Sequence, residues 1–112
     1  SGVRENAKVH SASESVKALR TAAESYIAAG NMTYTGITIS GLQTLGYLPA
    51  AFSATGSNPW GGNFAIAPNT DANKVDISLT GVSSSAATRL SALFANSAAA
   101  TSYASNTWTI TF

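Results

Sequence analysis

His10 and Glu14 are four residues apart, a spacing that would bring an imidazole and a carboxylate together on one helical face. Such a pair is half of an acid–base or nucleophilic site, and the other half would have to be a hydroxyl or thiol within hydrogen-bond reach. His10 is the single histidine of the chain, cysteine is absent, and the pattern places no nucleophile beside it. A solvent-facing helix pair accounts for the spacing. A serine triad would have to recruit His10, Asp71 or Asp76 and an unmarked serine, and no nucleophile-elbow motif supports that. Asp71, Asn73 and Asp76 could supply hard oxygen ligands to calcium from one loop, but their spacing fails the EF-hand pattern. The bidentate glutamate and the glycine of that loop are missing, and an ordinary hairpin turn is the better account. Gly61 and Gly62 lead into a strand and not a helix, which argues against a phosphate or dinucleotide loop. The sequence therefore predicts no catalytic residues, no cofactor and no metal site.

Composition points the same way. The chain has 112 residues, 45% of them hydrophobic, enough for one modest core and no second domain. Only 10% of residues are charged, with a formal net charge of +1 and no basic run, so nucleic acid and anionic membrane surfaces are not expected partners. Polarity comes from Ser, Thr, Asn and Gly, which suits an extracellular or assembled protein. The lack of cysteine rules out disulfides and thiolate chemistry. No stretch approaches the roughly 20 apolar residues that cross a bilayer, so the chain as it stands reads as soluble. It also enters a helical pattern almost at Ser1, without a lead-in, which implies that a native N-terminal segment has been removed.

Val9, Ala12, Val16, Leu19, Ala23 and Ile27 recur at steps of three and four, which predicts an amphipathic helix over about residues 3–29, stopped by Gly30. At 1.5 Å per residue it would be about 40 Å long, so it should overhang the body or form its spine. Residues 31–57 read as a folded connector, with Ser40 capping one helical turn through Leu45 before Gly46 and Pro49. At the junction that follows, Pro59 disfavours helix at Asn58, and Gly61 and Gly62 permit positive φ or close backbone approach. Trp60, held there, reads as a plug at the edge of the core or as a ligand-contacting aromatic, and turn chemistry favours the plug.

Phe64 and Ile66 alternate with polar or small neighbours, as do Val75, Ile77 and Leu79. Two half-buried strands joined by a polar turn over Pro68–Asn73 follow from this. Ser83–Ser97 returns to helical spacing around Ala86, Leu90, Leu93 and Phe94. Trp108, Ile110 and Phe112 then alternate with Thr107, Thr109 and Thr111, a final strand expected to be interior or well paired. The fold class is α+β, with an antiparallel sheet laid against the first helix.

The order of a long helix ending at Ala22–Tyr34, a Gly/Thr-rich loop, the Asn58–Ala67 turn and strand, the Leu79–Leu93 helix and a terminal strand resembles a type IVb pilin. It is similar in particular to the major pilins of thin conjugative or enteric type IV pili, and the likeness covers most of the chain. It implies a pilin fold, with residues 1–29 as the C-terminal half of the long helix, 30–57 as the αβ-loop and 58–112 as the sheet and second helix. It also implies an upstream hydrophobic half-helix, absent from this chain, that anchors the precursor in the inner membrane and later forms the filament core. Two departures stand out. The family's processed N-terminal signature is absent, and so is its usual cysteine pair, the region of Ala87 and Thr88 carrying none.

The expected function is thus structural: a subunit that polymerises through its first helix into surface filaments for adhesion, aggregation or conjugative mating-pair formation, and not an enzyme. Its partners would be copies of itself, the pilus assembly machinery, and a host or recipient-cell receptor. Its location would be the extracellular filament, after an inner-membrane stage. Ala7, Ala12 and Ala23 would allow close packing against sheet and neighbouring subunits, while Ser84, Ser85 and Arg89 would face the surface. Two alternatives are a type II secretion pseudopilin, which a calcium-binding loop would favour, and a secreted carbohydrate-binding module or adhesin stacking sugars on Trp60 and Tyr47.

Overall fold

The structure, a computed structural model, describes residues 2–112. Helix α1 spans Gly2–Ala28, and its buried face is the predicted stripe: Val9, Ala12, Val16, Leu19 and Ala23 lie inside, joined by Ser13 and Ala22. Ile27 is only half-buried. Ser13 keeps its hydroxyl satisfied in the core by donating to the His10 carbonyl at 2.7 Å. The helix stops where Gly30 takes a left-handed φ of 111° and donates to the Ile27 carbonyl at 3.0 Å. At 27 residues α1 is about 40 Å long, close to the 44 Å longest extent of the domain, so it forms the spine, and its exposed start includes Val3, 81% exposed.

Within the connector, helix α2 covers Ile39–Thr44 and turns Ile39 and Leu42 into the core. Its cap is Thr38, not Ser40. The Thr38 side chain accepts from the Gly41 amide at 3.0 Å, and starting the helix at Ile39 buries that residue.

The sheet has four strands, β1 (Phe64–Pro68), β2 (Val75–Leu79), β3 (Ala100–Ala104) and β4 (Thr107–Thr111), in spatial order β1-β2-β4-β3, all antiparallel. The polar turn after Pro68 closes the β1–β2 hairpin as expected. Strand β4 lies inside the sheet, with Ile110 opposite Ile77 on one side and Thr101 on the other. Strand β3 has no counterpart among the strands that the apolar spacing predicts. Its sequence, Ala-Thr-Ser-Tyr-Ala, has no apolar alternation, and all five residues are exposed. It forms because Ser105 and Asn106, both at positive φ, make a two-residue turn that folds residues 100–104 back onto β4.

Helix α3 spans Ser84–Leu93, capped by Ser83, whose hydroxyl accepts from the Ala86 amide at 3.3 Å. It ends four residues short of the expected Ser97. Phe94 leaves the helical path to bury its ring between Trp108 and Phe112, at centroid distances of 6.2 and 6.1 Å. Leu19, Ile77, Leu79, Leu90, Ile110 and Trp108 are fully buried where α1 and α3 meet one face of the sheet. Each such side chain contributes about 1.5–3 kcal/mol. The indole N–H of Trp108 is satisfied by Ser91 Oγ at 2.9 Å. Without a disulfide, β4 is held by two neighbouring strands and by this burial.

Candidate subunit-interaction surfaces

The Asn58–Gly62 junction is organised by one buried side chain. Asn58 Nδ2 donates to the carbonyls of Asn63 (3.1 Å) and Thr80 (2.8 Å), and Oδ1 accepts from the amides of Trp60 and Gly62, both at 2.9 Å. The two glycines divide the roles their chemistry allows. Gly61 takes a positive φ of 79°, while Gly62 lies so close to β2's end that a Cβ would sit 2.0 Å from the Thr80 carbonyl oxygen. Trp60 is half-buried against the core, and its Nε1 is buried without a hydrogen-bond partner. Tyr47 packs against the same core, so both rings are half-buried and neither is the exposed platform on which a sugar would stack.

The residues that could do chemistry are not brought together. Glu14 pairs with Lys17 at 3.1 Å on the exposed side of α1, and no side-chain hydrogen bond joins it to His10. His10 lies on a shallow, mostly apolar groove between α1 and α3, lined also by Asn6, Val9, Arg89, Ala92 and Leu93. That lining offers neither a carboxylate nor a hydroxyl. Asp71 closes the hairpin turn by accepting from the Asn73 amide at 3.0 Å, and Asp76 is occupied by Asn69 and by Thr111 Oγ1 at 2.6 Å. Among the described residues no cluster of acidic or histidine side chains is arranged to hold a metal.

The alanines singled out on the first helix fall on different sides. Ala12 and Ala23 are buried in the core of their own chain, and Ala7 is exposed. Ala7 belongs to a stripe with Ser11, Glu14, Ala18 and Thr21, all exposed, that runs opposite the buried face of α1. Ser84 and Ser85 are exposed on the first turn of α3, and Arg89 is half-buried. Arg89 earns its position by donating to Asn6 Oδ1, and beside it Ser83 Oγ donates to Glu5 Oε1 at 2.7 Å. These two links tie α3 to the start of α1. Nothing in the spacing of Glu5, Asn6, Ser83 and Arg89 gives the pairing away, because its partners are far apart in sequence.

Charge is distributed as unevenly. No charged residue occurs from Ser25 to Thr70 or from Leu90 to Phe112. The connector, β1, β3 and β4 thus present an uncharged surface, while α1 carries most of the charge.

A long N-terminal helix lying along an antiparallel sheet, with a folded connector on one flank and a second helix on the other, defines a pilin-like α+β protein. The family described as PilS N terminal matches residues 2–111, and the chain belongs to that family. It is thereby a type IV pilus subunit, whose assembled state is an extracellular filament of many copies. No curated protein and no solved structure matches the chain. No helix among the described residues is long and apolar enough to cross a membrane.

Proposed function

We propose that this chain is the globular domain of a structural subunit of a type IVb pilus, polymerising through α1 and presenting its connector, α3 and sheet to the outside. The observation that carries the reading is the two-sidedness of α1. One stripe is consumed by the subunit's own core, while the opposite stripe is exposed along the same length and consists of the short side chains Ala7, Ser11, Ala18 and Thr21 interrupted by Glu14. Short side chains let a neighbouring helix or domain approach the backbone closely. Work is done by assembly and not by catalysis, with adhesion, aggregation or mating-pair formation as the outcome and an inner-membrane stage before assembly.

The pseudopilin alternative lacks the calcium-binding loop that would favour it, since Asp71 and Asp76 are engaged in closing and bracing a hairpin.

The test is immunogold electron microscopy of filaments sheared from a piliated host expressing the full-length gene, with antibody raised against this domain. Label at regular intervals along the filaments is the expected result. Label confined to tips would make it a minor subunit or adhesin, and normal filaments without label would remove the pilin assignment.

A further inference from the structure

The sheet has two edges, and they are treated differently. At the β1 edge, the Phe64 amide is already taken by the Ala54 carbonyl at 2.8 Å, and Pro68 has no N–H to offer. That edge is closed to further pairing. At the β3 edge none of the usual protective devices is present. Residues 100–104 contain no charge, no proline and no glycine, all five are exposed, and the strand is regularly paired to β4 on its inner side alone.

The strand is also complementary to itself. An antiparallel copy centred on Ser102 sets Ser102 opposite Ser102, Ala100 opposite Ala104, and Thr101 opposite Tyr103. This last is a β-branched residue facing an aromatic, and symmetry makes the contact twice. Tyr103 is held ready for it. Its hydroxyl donates to the Val82 carbonyl at 2.6 Å, while the residue stays 37% exposed. Above the strand, α3 is set back behind a groove lined by Ser84, Ala87, Thr88 and Ser91, small side chains that leave room for a neighbour's Thr101 and Tyr103.

We propose that β3 is a self-association edge, where a second copy of this chain pairs through its own β3 to make one continuous eight-stranded sheet. The contact is isologous, whereas a polar filament grows by head-to-tail contacts, so it joins subunits of two different filaments and not successive subunits of one. Five residues of strand bury far less than the roughly 1,000 Å² that a stable interface requires, so a single pair is weak. Along two filaments the same pair recurs, and the summed contacts hold where one does not. The filament setting rests on the pilus reading above; the pairing itself is a property of the isolated domain and is tested there.

The experiment is sedimentation of the isolated domain over a concentration series, with amide NMR of the same samples. The expected result is a weak monomer–dimer equilibrium, dissociation constant on the order of millimolar, with concentration-dependent shifts confined to residues 100–104 and their β4 neighbours. S102K and S102E should each abolish the dimer by placing like charges face to face, and an equimolar mixture of the two should restore it as a heterodimer. Thermal melts verify that both variants fold, and T101K serves should either fail. Absence of any dimer at millimolar concentration, shifts centred on the α1–α3 groove, or a dimer indifferent to S102K would each overturn the proposal. In the piliated host, single unbundled S102K filaments support it, and S102K filaments still associated side by side oppose it. Unlabelled filaments would instead count against the pilus reading and leave the solution result standing.

Discussion

Replacing Asn58 by alanine tests whether one side chain holds the junction between the connector and the sheet. The substitution removes four hydrogen bonds, two donated to the Asn63 and Thr80 carbonyls and two accepted from the Trp60 and Gly62 amides, at a residue only 4% exposed. Each intramolecular bond contributes about 0.5–1.5 kcal/mol net, and a buried group left without a partner costs about 1–3 kcal/mol. Trp60 and Gly62 are half-buried, so water can reach part of the vacated site. A loss of about 3 kcal/mol is expected, against a total stability of about 5–15 kcal/mol for a domain of this size. At about 4 °C per kcal/mol, the melting temperature should fall by about 12 °C. Calorimetry supplies the melting temperature. Urea titration should show a lower midpoint with an unchanged slope, since the fold survives. Hydrogen exchange should locate the damage at the Trp60 and Gly62 amides. Asn58→Asp is the discriminating companion: it keeps both acceptor positions but turns two donors into a carboxylate facing two carbonyl oxygens, and should be at least as damaging as alanine. A shift below about 3 °C for alanine, or wild-type stability for Asn58→Asp, would refute the assignment of the junction to this side chain.

Gly62→Ala should be worse than Asn58→Ala, because its Cβ would lie 2.0 Å from the Thr80 carbonyl oxygen and 2.6 Å from its carbon, contacts that only backbone movement relieves. A destabilisation above about 4 kcal/mol, or recovery of the protein only in the insoluble fraction, is expected, and a soluble variant with a near wild-type melt would contradict it. Arg89→Ala removes the tie to Asn6 at a half-buried site. It should cost no more than about 1 kcal/mol of global stability while speeding amide exchange in the first turns of α1, a contrast that hydrogen exchange read alongside denaturant titration will reveal.

Much of this architecture is legible in the chain because apolar spacing reports burial. Val9 through Ala23 mark the inner face of α1, and Trp108 and Ile110 mark a strand buried on one face. The same rule explains what stays hidden. Strand β3 buries none of its residues, so Ala100–Ala104 carry no periodic signal and only the Ser105–Asn106 turn brings them to β4. Phe94 looks like the next helical position after Leu90 and Leu93, but its ring is drawn toward Trp108 and Phe112, a tertiary demand that ends α3 early. Thr38 and Ser40 are equally good caps in isolation, and the choice falls to Thr38 because the helix must begin in time to bury Ile39. At the junction, proline and glycine announce a turn, yet the four-bond role of Asn58 depends on Thr80, just beyond the end of β2, and has no local signature. The α1–α3 links are invisible for the same reason, with Glu5 and Ser83 meeting only in three dimensions.

Strand β4 follows β3 in sequence yet sits between β2 and β3, and this order constrains how the domain is made. A chain delivered from its N-terminus completes α1, the connector, the β1–β2 hairpin and α3 while β2 still has an open flank and β3 has nothing to pair with. Trp108 and Ile110, two of the largest fully buried side chains, emerge only after all of these elements, so the half-made core stays wet until they do. Sheet closure is therefore a single late event that inserts one strand between two waiting edges. Before it, the nascent subunit exposes more unpaired strand than at any time afterwards, and needs either speed or a protected surface to avoid meeting another like itself.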